Sequence, residues 1–271
     1  MELRERQIVI TGASSGIGRA LLQELSGREV QVIAAGRDEV RLQDAVASAR
    51  APQTEILPFV GDLAQQESVD ALFAYALQHM GGIDLFFAIA GFAYWEWVEG
   101  PAWRRMEAIF QTTVFSPIYA VQKMHALFPG TDYRVIITSS ILGRVGLEGY
   151  ALYSSTKAAL DRFAEVYRLE TGRRSRLVLV YPLAVRSGFL PTAGGAPTPW
   201  LSQSPEAVAR GMVRGIERDR ETIYTSRILQ PMLLANHLLP FTRRWYQALD
   251  GRVARRYRAA KEKGTGEAEP G

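Results

Sequence analysis

A glycine-rich segment, TGASSGIG at residues 11–18, constrains the fold more than any other feature of the chain. The apolar run Ile8-Val9-Ile10 before it predicts a buried strand, and the apolar residues between Ala20 and Leu25 predict a helix after it. The glycines permit a tight turn that directs backbone N–H groups and the positive helix end at a phosphate. The spacing Gly-x-x-x-Gly-x-Gly differs from that of an ATP-type phosphate loop. The segment therefore predicts the start of a dinucleotide-binding fold.

Apolar strand-like runs alternate with helical periodicity along most of the chain, which indicates an α/β architecture. With 271 residues and 47% hydrophobic content, the chain is large enough for one core. We expect a single doubly wound Rossmann-type domain with a parallel sheet of about seven strands flanked by helices, plus a C-terminal helical extension. Residues 1–226 form the predicted catalytic domain, 227–264 the extension and 265–271 a disordered tail. Strands are predicted at 30–35, 55–60, 84–88, 135–138, 177–181 and 222–225, and helices at 39–50, 68–80, 101–128, 153–171 and 205–218.

A second segment, residues 135–157, reads VIITSSILGRVGLEGYALYSSTK and holds candidate catalytic side chains. Its β-branched start predicts a buried strand that delivers Ser140 to its carboxyl end. Tyr153 and Lys157 are four positions apart, so on a helix they share one face. A nearby ammonium lowers the pKa of a phenol from about 10 toward the pH at which general acid–base catalysis works best. A surface Tyr-Lys pair without catalytic function is the alternative interpretation.

The chain contains, in this order, the glycine-rich segment, Ser140, Tyr153 thirteen positions later, and Lys157 four positions after that. In this combination the chain resembles the short-chain dehydrogenase/reductase family over roughly residues 6–225. The resemblance implies a nicotinamide-dependent oxidoreductase that interconverts a carbonyl and an alcohol. It also implies that Ser140 orients the carbonyl, Tyr153 donates its proton, and the nicotinamide delivers hydride to the carbonyl carbon.

The resemblance assigns further residues to the site. Lys157 would lower the pKa of Tyr153 and bind the nicotinamide ribose. Thr113 falls where the family has an asparagine that holds a water in a proton relay to the lysine, and a threonine hydroxyl can hold a water too. The predicted cofactor-binding residues are Gly12, Ser14, Ser15, Gly16, Ile17, Gly18, Arg37, Asp62, Leu63, Ala90, Gly91, Tyr153, Lys157, Pro182 and Val185.

The residues after the second predicted strand determine which cofactor is expected. An acidic residue near this strand end binds the ribose 2′-hydroxyl of NAD, whereas a nearby arginine accommodates the 2′-phosphate of NADP. Gly36 aligns with the acidic position and Arg37 follows it, and Ser14 could add a hydroxyl contact. Since a guanidinium matches phosphate geometry, NADP(H) is expected in preference to NAD(H). A one-residue shift would instead make Asp38 the ribose acceptor. The pair Asp62-Leu63 would lie against the adenine or, alternatively, cap the next helix.

Four residues at three sites depart from the family pattern. Ala88-Ile89 replaces two asparagines of an Asn-Asn-Ala-Gly motif, Thr113 replaces the relay asparagine, and Leu183 replaces the glycine of a Pro-Gly-x-x-x-Thr motif. These departures support a rival hypothesis, in which the protein is a nucleotide-sensing binding protein that has lost turnover. The intact serine, tyrosine and lysine favour an enzyme, because a sensor has no physical need for a proton donor at that spacing.

Three other segments bear on the substrate. The aromatic loop, Phe92 to Trp97, is interpreted as core, as subunit interface or as the wall of an apolar pocket. Residues 187–205 lack periodicity and predict a mobile lid. Residues 228–246 are too interrupted by proline and polar residues for a membrane span of about 20 residues. They predict a roof over the pocket, with peripheral contact to lipid as the alternative. The expected substrate is a small apolar carbonyl or alcohol.

Composition restricts the remaining possibilities. The chain has no cysteine, and its histidines at 79, 125 and 237 are too scattered for a cluster, so no metal is expected. The net charge of +4 is partly local, because residues 252–264 carry six lysines and arginines against one glutamate. A solvated helix end explains this run, and nucleic acid is not an expected partner. The charged start leaves no room for a signal peptide, which suggests the cytoplasm, and the family resemblance suggests a homodimer or homotetramer.

Overall fold

The computed structural model describes residues 1–172, 176–186, 202–238, 247–248 and 250–259. Its strands are β1 (Arg6–Thr11), β2 (Val30–Gly36), β3 (Thr54–Val60), β4 (Leu85–Ala88), β5 (Arg134–Thr138), β6 (Leu177–Tyr181), β7 (Ala184–Val185), β8 (Ser202–Gln203) and β9 (Thr222–Tyr224). Seven of them form one sheet in the order β3-β2-β1-β4-β5-β6-β9, and every neighbouring pair is parallel. The predicted doubly wound sheet is confirmed.

Helices cover both faces of this sheet. They are α1 (Gly16–Leu25), α2 (Glu39–Ala49), α3 (Gln66–Met80), α4 (Trp103–Phe110), α5 (Ser116–Leu127), α6 (Ala151–Thr171), α7 (Pro205–Glu217) and α8 (Leu229–Leu238), and residues 250–259 form a further C-terminal helix. On one face α1, α2 and α7 pack against Ile8 and Ile10 of β1. On the other face α3, α5 and α6 pack against Val9. Both faces of the central strands β1, β4 and β6 are therefore covered, which is why these strands are continuous apolar runs.

A proline inside a predicted strand is accommodated at the edge of the sheet. Pro58 lies in β3 and pairs with Ala34 of β2. Since β3 has a neighbour on one side only, the missing N–H of Pro58 costs no ladder hydrogen bond on the open side.

The structure corrects the predicted helix over residues 101–128. Helix α4 begins at Trp103, and a five-residue π-turn, Gln111–Phe115, separates it from α5. The wider π-turn changes the direction in which its side chains project, and such turns often occur at functional sites. The π-turn packs against α6.

Several sequence predictions fall on residues outside the described ranges. These are most of the predicted lid (187–201), part of the predicted roof (239–246) and the predicted tail (265–271). Ser202 and Gln203, at the end of the predicted lid, form strand β8 and pair with β7. Within the described part of the chain, no helix is long and apolar enough to cross a bilayer.

The C-terminal helix packs on the aromatic loop. The Trp95 ring, which is buried, meets the Tyr257 ring edge to face with centroids 5.6 Å apart. The Arg258 guanidinium lies 4.8 Å from the centre of the Trp97 ring. Two ion pairs hold the same contact, Arg255 with Glu148 and Arg258 with Glu99. The aromatic loop is thus enclosed between the body of the domain and the last described helix.

Candidate active site

The site lies at the carboxyl ends of β1 and β4, where the strand order reverses. Parallel α/β sheets bind ligands in the crevice at such a switch point. Here the buried hydroxyl of Thr11 accepts hydrogen bonds from the backbone N–H groups of Ile89, at 3.0 Å, and Ala90, at 3.1 Å. It also donates to the carbonyl of Phe87 at 3.2 Å. Thr11 therefore ties together the two strand ends at which Ala88-Ile89 replaces the family's asparagines.

The glycine-rich turn is shaped by close backbone contacts. Gly12 has a φ of 70°, and a Cβ at this position would lie 3.0 Å from the backbone of Ala90. A Cβ on Gly18 would lie 2.2 Å from the Gly12 carbonyl oxygen, so neither position accepts a side chain. Ser15 is the N-cap residue of α1, but its side chain makes no capping hydrogen bond, and Ile17 packs on the core. The turn forms a backbone cradle at a helix N-terminus, which fits the phosphates of a dinucleotide.

Two predicted cofactor residues, Ser14 and Arg37, lie at the end of β2. Gly36 is buried, and a Cβ built on it would lie 3.4 Å from the Ser14 hydroxyl. Arg37 follows and is exposed. Asp38 instead caps α2, because its carboxylate accepts hydrogen bonds from the Arg41 backbone N–H at 3.0 Å and from the Arg41 Nε at 2.7 Å. These hydrogen bonds lower the pKa of Asp38.

Asp62 and Leu63 lie at the neighbouring strand end. Gly61 donates a backbone hydrogen bond to Gly36, 3.0 Å away, which joins the ends of β2 and β3. Asp62 accepts from the backbone N–H of Ala64 at 3.1 Å, and Leu63 is buried. Because Gln65 is the N-cap residue of α3, Asp62 stabilises the preceding turn and does not cap the helix.

Ser140 and Tyr153 meet at the end of β5. The Ser140 hydroxyl accepts from the Leu142 backbone N–H at 3.2 Å and so starts a short 3₁₀ turn. Burial raises the pKa of Tyr153 to about 12, although the neighbouring Ser140 hydroxyl opposes this shift. The sequence predicted a pKa lowered by Lys157, so the direction in this structure is the opposite, because desolvation of the phenol outweighs the other effects.

Lys157 lies one helical turn after Tyr153 on α6. It is only 6% exposed, and its Nζ donates to the backbone carbonyl of Thr138 at 2.7 Å. The Nζ is 5.5 Å from the centre of the Tyr153 ring. Burial lowers the pKa of Lys157 to about 8, whereas Asp161 acts to raise it. With this pKa, the lysine is mostly protonated at pH 7 and loses its proton at a lower pH than a solvent-exposed lysine does.

Thr113 lies in the π-turn, which packs against α6. It is 1% exposed, and among the described residues its hydroxyl has no hydrogen-bond partner. A Cβ on Gly91 would lie 3.5 Å from this oxygen, so the hydroxyl borders the predicted cofactor segment Ala90-Gly91. The hydroxyls of Thr138 and Ser154 are likewise buried without a partner among these residues. Orphan hydroxyls are rare in protein interiors and indicate that water or a ligand binds there.

The segment after β6 is held by one glutamine. Pro182 is buried, and Val185 pairs with Gln203 in the small β7-β8 sheet. The Gln203 side-chain oxygen accepts from the backbone N–H of Leu183 at 3.1 Å. The same oxygen accepts from the Thr225 hydroxyl at 2.7 Å. Gln203 thus fixes the predicted nicotinamide loop to the chain after β9.

This arrangement agrees with a sequence profile of the short chain dehydrogenases, which matches residues 6–194. The chain belongs to the short-chain dehydrogenase/reductase family. It is accordingly an oxidoreductase, and the family predicted from its motifs is confirmed. An uncharacterised oxidoreductase of Myxococcus xanthus is 33% identical over 249 residues, which are 88% of this chain and 94% of the relative.

Solved structures share the fold. A short-chain dehydrogenase/reductase from Burkholderia phymatum, in complex with NAD, has a TM-score of 0.78 at 21% identity and covers 88% of this chain and 94% of its own. A short-chain dehydrogenase from Sphingobium yanoikuyae, in complex with NADPH, has a TM-score of 0.74 at 21% identity and covers 89% and 94%. At this identity the likeness concerns the fold.

The structure brings most predicted site residues to one edge of the sheet. The glycine turn and Ala90 touch, Ser14 adjoins Gly36, and the Lys157 ammonium faces the Tyr153 ring. Sequence analysis assigned no function to Thr11 or Gln203. The position of Thr11 directly before Gly12 could have indicated its contact with β4, but Gln203 lies in a segment without periodicity and gave no such signal.

Proposed function

We propose that the protein is an NADP(H)-dependent oxidoreductase that interconverts a carbonyl and an alcohol on an apolar substrate, with Tyr153 as proton donor and acceptor. The observation that carries the proposal is the buried Lys157, whose ammonium is held by the Thr138 carbonyl at 2.7 Å and lies 5.5 Å from the centre of the Tyr153 ring. Catalytic groups of this kind act when they are held within hydrogen-bond reach of the reacting oxygen.

In the direction of reduction, the Ser140 hydroxyl donates a hydrogen bond to the substrate carbonyl oxygen and orients it. The Tyr153 hydroxyl transfers its proton to that oxygen. A bound nicotinamide supplies the hydride that the carbonyl carbon receives, so the product is an alcohol. The Lys157 ammonium stabilises the phenolate left on Tyr153, and this charge interaction grows as the proton departs.

The buried hydroxyl of Thr113 supports a proton path from the site. This hydroxyl has no hydrogen-bond partner among the described residues. It is therefore available to bind a water, as a relay position requires. The relay would restore the proton of Tyr153 through Lys157 after each turnover. Threonine in place of asparagine is consistent with this function, because one hydroxyl suffices to bind a water.

The preference for NADP(H) rests on the end of β2. Gly36 carries no acidic side chain, the Ser14 hydroxyl lies beside it, and Arg37 follows it and is exposed. The alternative with Asp38 as ribose acceptor loses support, since both carboxylate oxygens of Asp38 accept hydrogen bonds from Arg41. A guanidinium beside an uncharged strand end favours a 2′-phosphate.

The apolar substrate is supported by the aromatic loop and the C-terminal helix. Tyr150 lies beside Tyr153, with ring centroids 6.4 Å apart. The backbone N–H of Glu96, in the aromatic loop, donates to the Gly149 carbonyl at 2.8 Å. The aromatic loop therefore adjoins the residues that lead to Tyr153 and offers an apolar wall to a substrate.

The sensor hypothesis has less support than the enzyme. Its main argument was the loss of two asparagines at Ala88-Ile89. The Thr11 hydroxyl accepts hydrogen bonds from the backbone N–H groups of Ile89 and Ala90. The ends of β1 and β4 are therefore joined even without the two asparagines. Cytoplasmic location, assembly into a dimer or tetramer and contact with lipid remain predictions from the sequence.

The test is a panel of aldehydes, ketones and alcohols assayed by the absorbance of the reduced nicotinamide, with NADP(H) and NAD(H) in parallel. We expect turnover of apolar ketones or alcohols and a preference for NADP(H). Binding of the cofactor without turnover of any substrate class, with wild type and Tyr153→Phe indistinguishable, would favour the sensor.

A further inference from the structure

A cluster of polar residues lies behind the proposed catalytic side chains. It consists of Ser139, Arg144, Asp161, Tyr181 and Tyr224 and is called here the Asp161 cluster. The Asp161 side chain is only 15% exposed. One carboxylate oxygen accepts from the Ser139 hydroxyl at 2.6 Å, and the other accepts from the Arg144 Nε at 3.1 Å.

Arg144 extends this contact to two more strands. One of its terminal nitrogens donates to the Tyr181 hydroxyl at 2.7 Å, and the other donates to the Tyr224 hydroxyl at 3.1 Å. The guanidinium carbon also lies 4.4 Å from the centre of the Tyr181 ring. The two tyrosine rings stack with centroids 5.3 Å apart. Three separate nitrogens of the planar guanidinium donate to the three partners. A lysine carries all of its donors on one nitrogen and could not reach three partners placed in this way.

The members of the cluster flank the proposed catalytic residues in sequence. Ser139 directly precedes Ser140, and Arg144 follows the 3₁₀ turn that Ser140 starts. Asp161 lies one helical turn after Lys157 on α6. The cluster therefore bonds the segment that carries Ser140 to the helix that carries the tyrosine and the lysine.

We propose that Asp161 is a positioning residue, which holds Ser140 in register with Tyr153 and Lys157 through its bonds to Ser139 and Arg144. The proposal rests on the proposed function, because it assumes that these three side chains carry the reaction. Asp161 acts through Ser139 and Arg144 and not through contact with the substrate.

Close packing explains why such a restraint is needed. A Cβ on Gly143 would lie 2.8 Å from the Lys157 carbonyl carbon, so the 3₁₀ turn packs directly on the backbone of α6. Gly143 itself contributes no side chain to this contact, and the apolar packing of Ile141 nearby is not directional. The directional bonds of Asp161 supply that restraint, since both of its oxygens are engaged by residues of the turn segment.

The charge of Asp161 gives a second observable. Lys157 faces the Tyr153 ring and the Asp161 carboxylate on α6, and Asp161 in turn faces Arg144 and Tyr181 from the packed elements. The carboxylate raises the pKa of Lys157 against the effect of burial. Without this charge, Lys157 should lose its proton at a lower pH. The fall in activity at alkaline pH should therefore begin at a lower pH than in wild type.

The test compares Asp161→Asn with Asp70→Asn in the full chain. Asp70 is a matched control on α3, where its carboxylate accepts from the Tyr119 hydroxyl at 2.9 Å and from Lys123. We expect Asp161→Asn to lower kcat about 10- to 100-fold, with less change in KM, because small misplacements of catalytic groups have effects of this size. Its alkaline limb should move to lower pH. The Asp70→Asn variant should keep the wild-type kcat and pH profile.

Hydrogen exchange tests the positioning without any assay of turnover. We expect backbone amides of residues 139–144 to exchange faster in Asp161→Asn than in wild type, and Asp70→Asn to leave them unchanged. Ser139→Ala removes only the hydroxyl that donates to Asp161, so it should give a smaller increase in exchange in the same residues. This second variant provides the test if Asp161→Asn folds poorly. Unchanged exchange and kcat in the variants that fold would overturn the proposal. Faster exchange in a protein that turns over no carbonyl would support the positioning and reject the proposed function.

Discussion

The ammonium of Lys157 donates to the backbone carbonyl of Thr138 across 2.7 Å, within an interior that exposes only 6% of the lysine. The bond fixes the end of a long, flexible side chain to the end of β5. The same burial makes the ammonium costly, and it lowers the pKa of Lys157 to about 8. The burial that holds the Lys157 side chain in position therefore also destabilises its protonated form.

The first prediction concerns stability against pH. Folded Lys157 releases its proton near pH 8, whereas the unfolded chain keeps it until about pH 10.5. Between these values the unfolded state binds more protons, so the contribution of Lys157 to stability rises with pH. Relative to Lys157→Met, which cannot titrate, wild type should gain stability from pH 8 to pH 10, by at most about 3 kcal/mol. Thermal unfolding of both proteins measures this, and a constant difference in Tm would contradict it.

The second prediction concerns the proton donor. Tyr153→Phe removes the hydroxyl and keeps the ring, so the fold and cofactor binding should be retained. Turnover should fall about 10²- to 10⁴-fold, the usual contribution of general acid–base catalysis. Steady-state rates and a cofactor titration measure the two effects. Tyr150→Phe is the matched control, and an equal loss in both variants would argue against a specific function of Tyr153.

The third prediction concerns cofactor choice. Arg37→Ala should raise KM for NADPH about 10- to 100-fold, because hydrogen bonds to charged groups contribute about 1.5–3 kcal/mol. KM for NADH should change by less than about twofold, since NADH has no 2′-phosphate. Arg50→Ala, an exposed arginine at the other end of α2, is the control. Equal losses for NADPH and NADH would return the assignment to Asp38.

The fourth prediction separates stability from activity at Thr113. Thr113→Val removes a buried hydroxyl that has no protein partner among the described residues, so the free energy of unfolding should change by less than about 1 kcal/mol. Turnover should fall about tenfold if the hydroxyl holds the relay water. Chemical denaturation and steady-state kinetics on one preparation provide both values. A stable variant with full activity would remove Thr113 from the proposed relay.

The fifth prediction concerns the C-terminal region. Deleting everything after Ser226 removes the predicted roof at residues 228–246 together with the helix that packs on Trp95 and Trp97. The catalytic efficiency for apolar ketones should fall more than that for small polar carbonyls, because an apolar wall loses its support. Unchanged substrate preference, together with salt-sensitive pelleting of the intact protein on anionic vesicles, would favour the lipid-contact alternative.

Fold prediction from the sequence succeeded where local pattern and tertiary environment agree. The strand Leu177–Tyr181 was predicted with the bounds that the structure has, because a short apolar run between polar segments has few other uses. The π-turn at Gln111–Phe115 was not predicted, since a continuous helical periodicity hides one widened turn. The pairing of Ser202 and Gln203 with β7 was also missed, because two-residue strands carry no period.

For the candidate site, motif spacing predicted which residues meet but not their electrostatic state. A cation four residues from a phenol suggested a lowered pKa for Tyr153. Burial reverses that direction, and burial depends on contacts from distant segments. The Asp161 cluster was missed for the same reason, since its members come from three strand ends and a helix.

The contact between Arg255 and Glu148 joins residues 107 positions apart and closes on the loop that precedes Tyr153. Translation produces the glycine turn, the serine and the tyrosine before it produces the helix that covers the aromatic loop. In a chain that stops before this helix, Trp95 would lose its contact with the Tyr257 ring, and the proposed substrate wall would be open on that side.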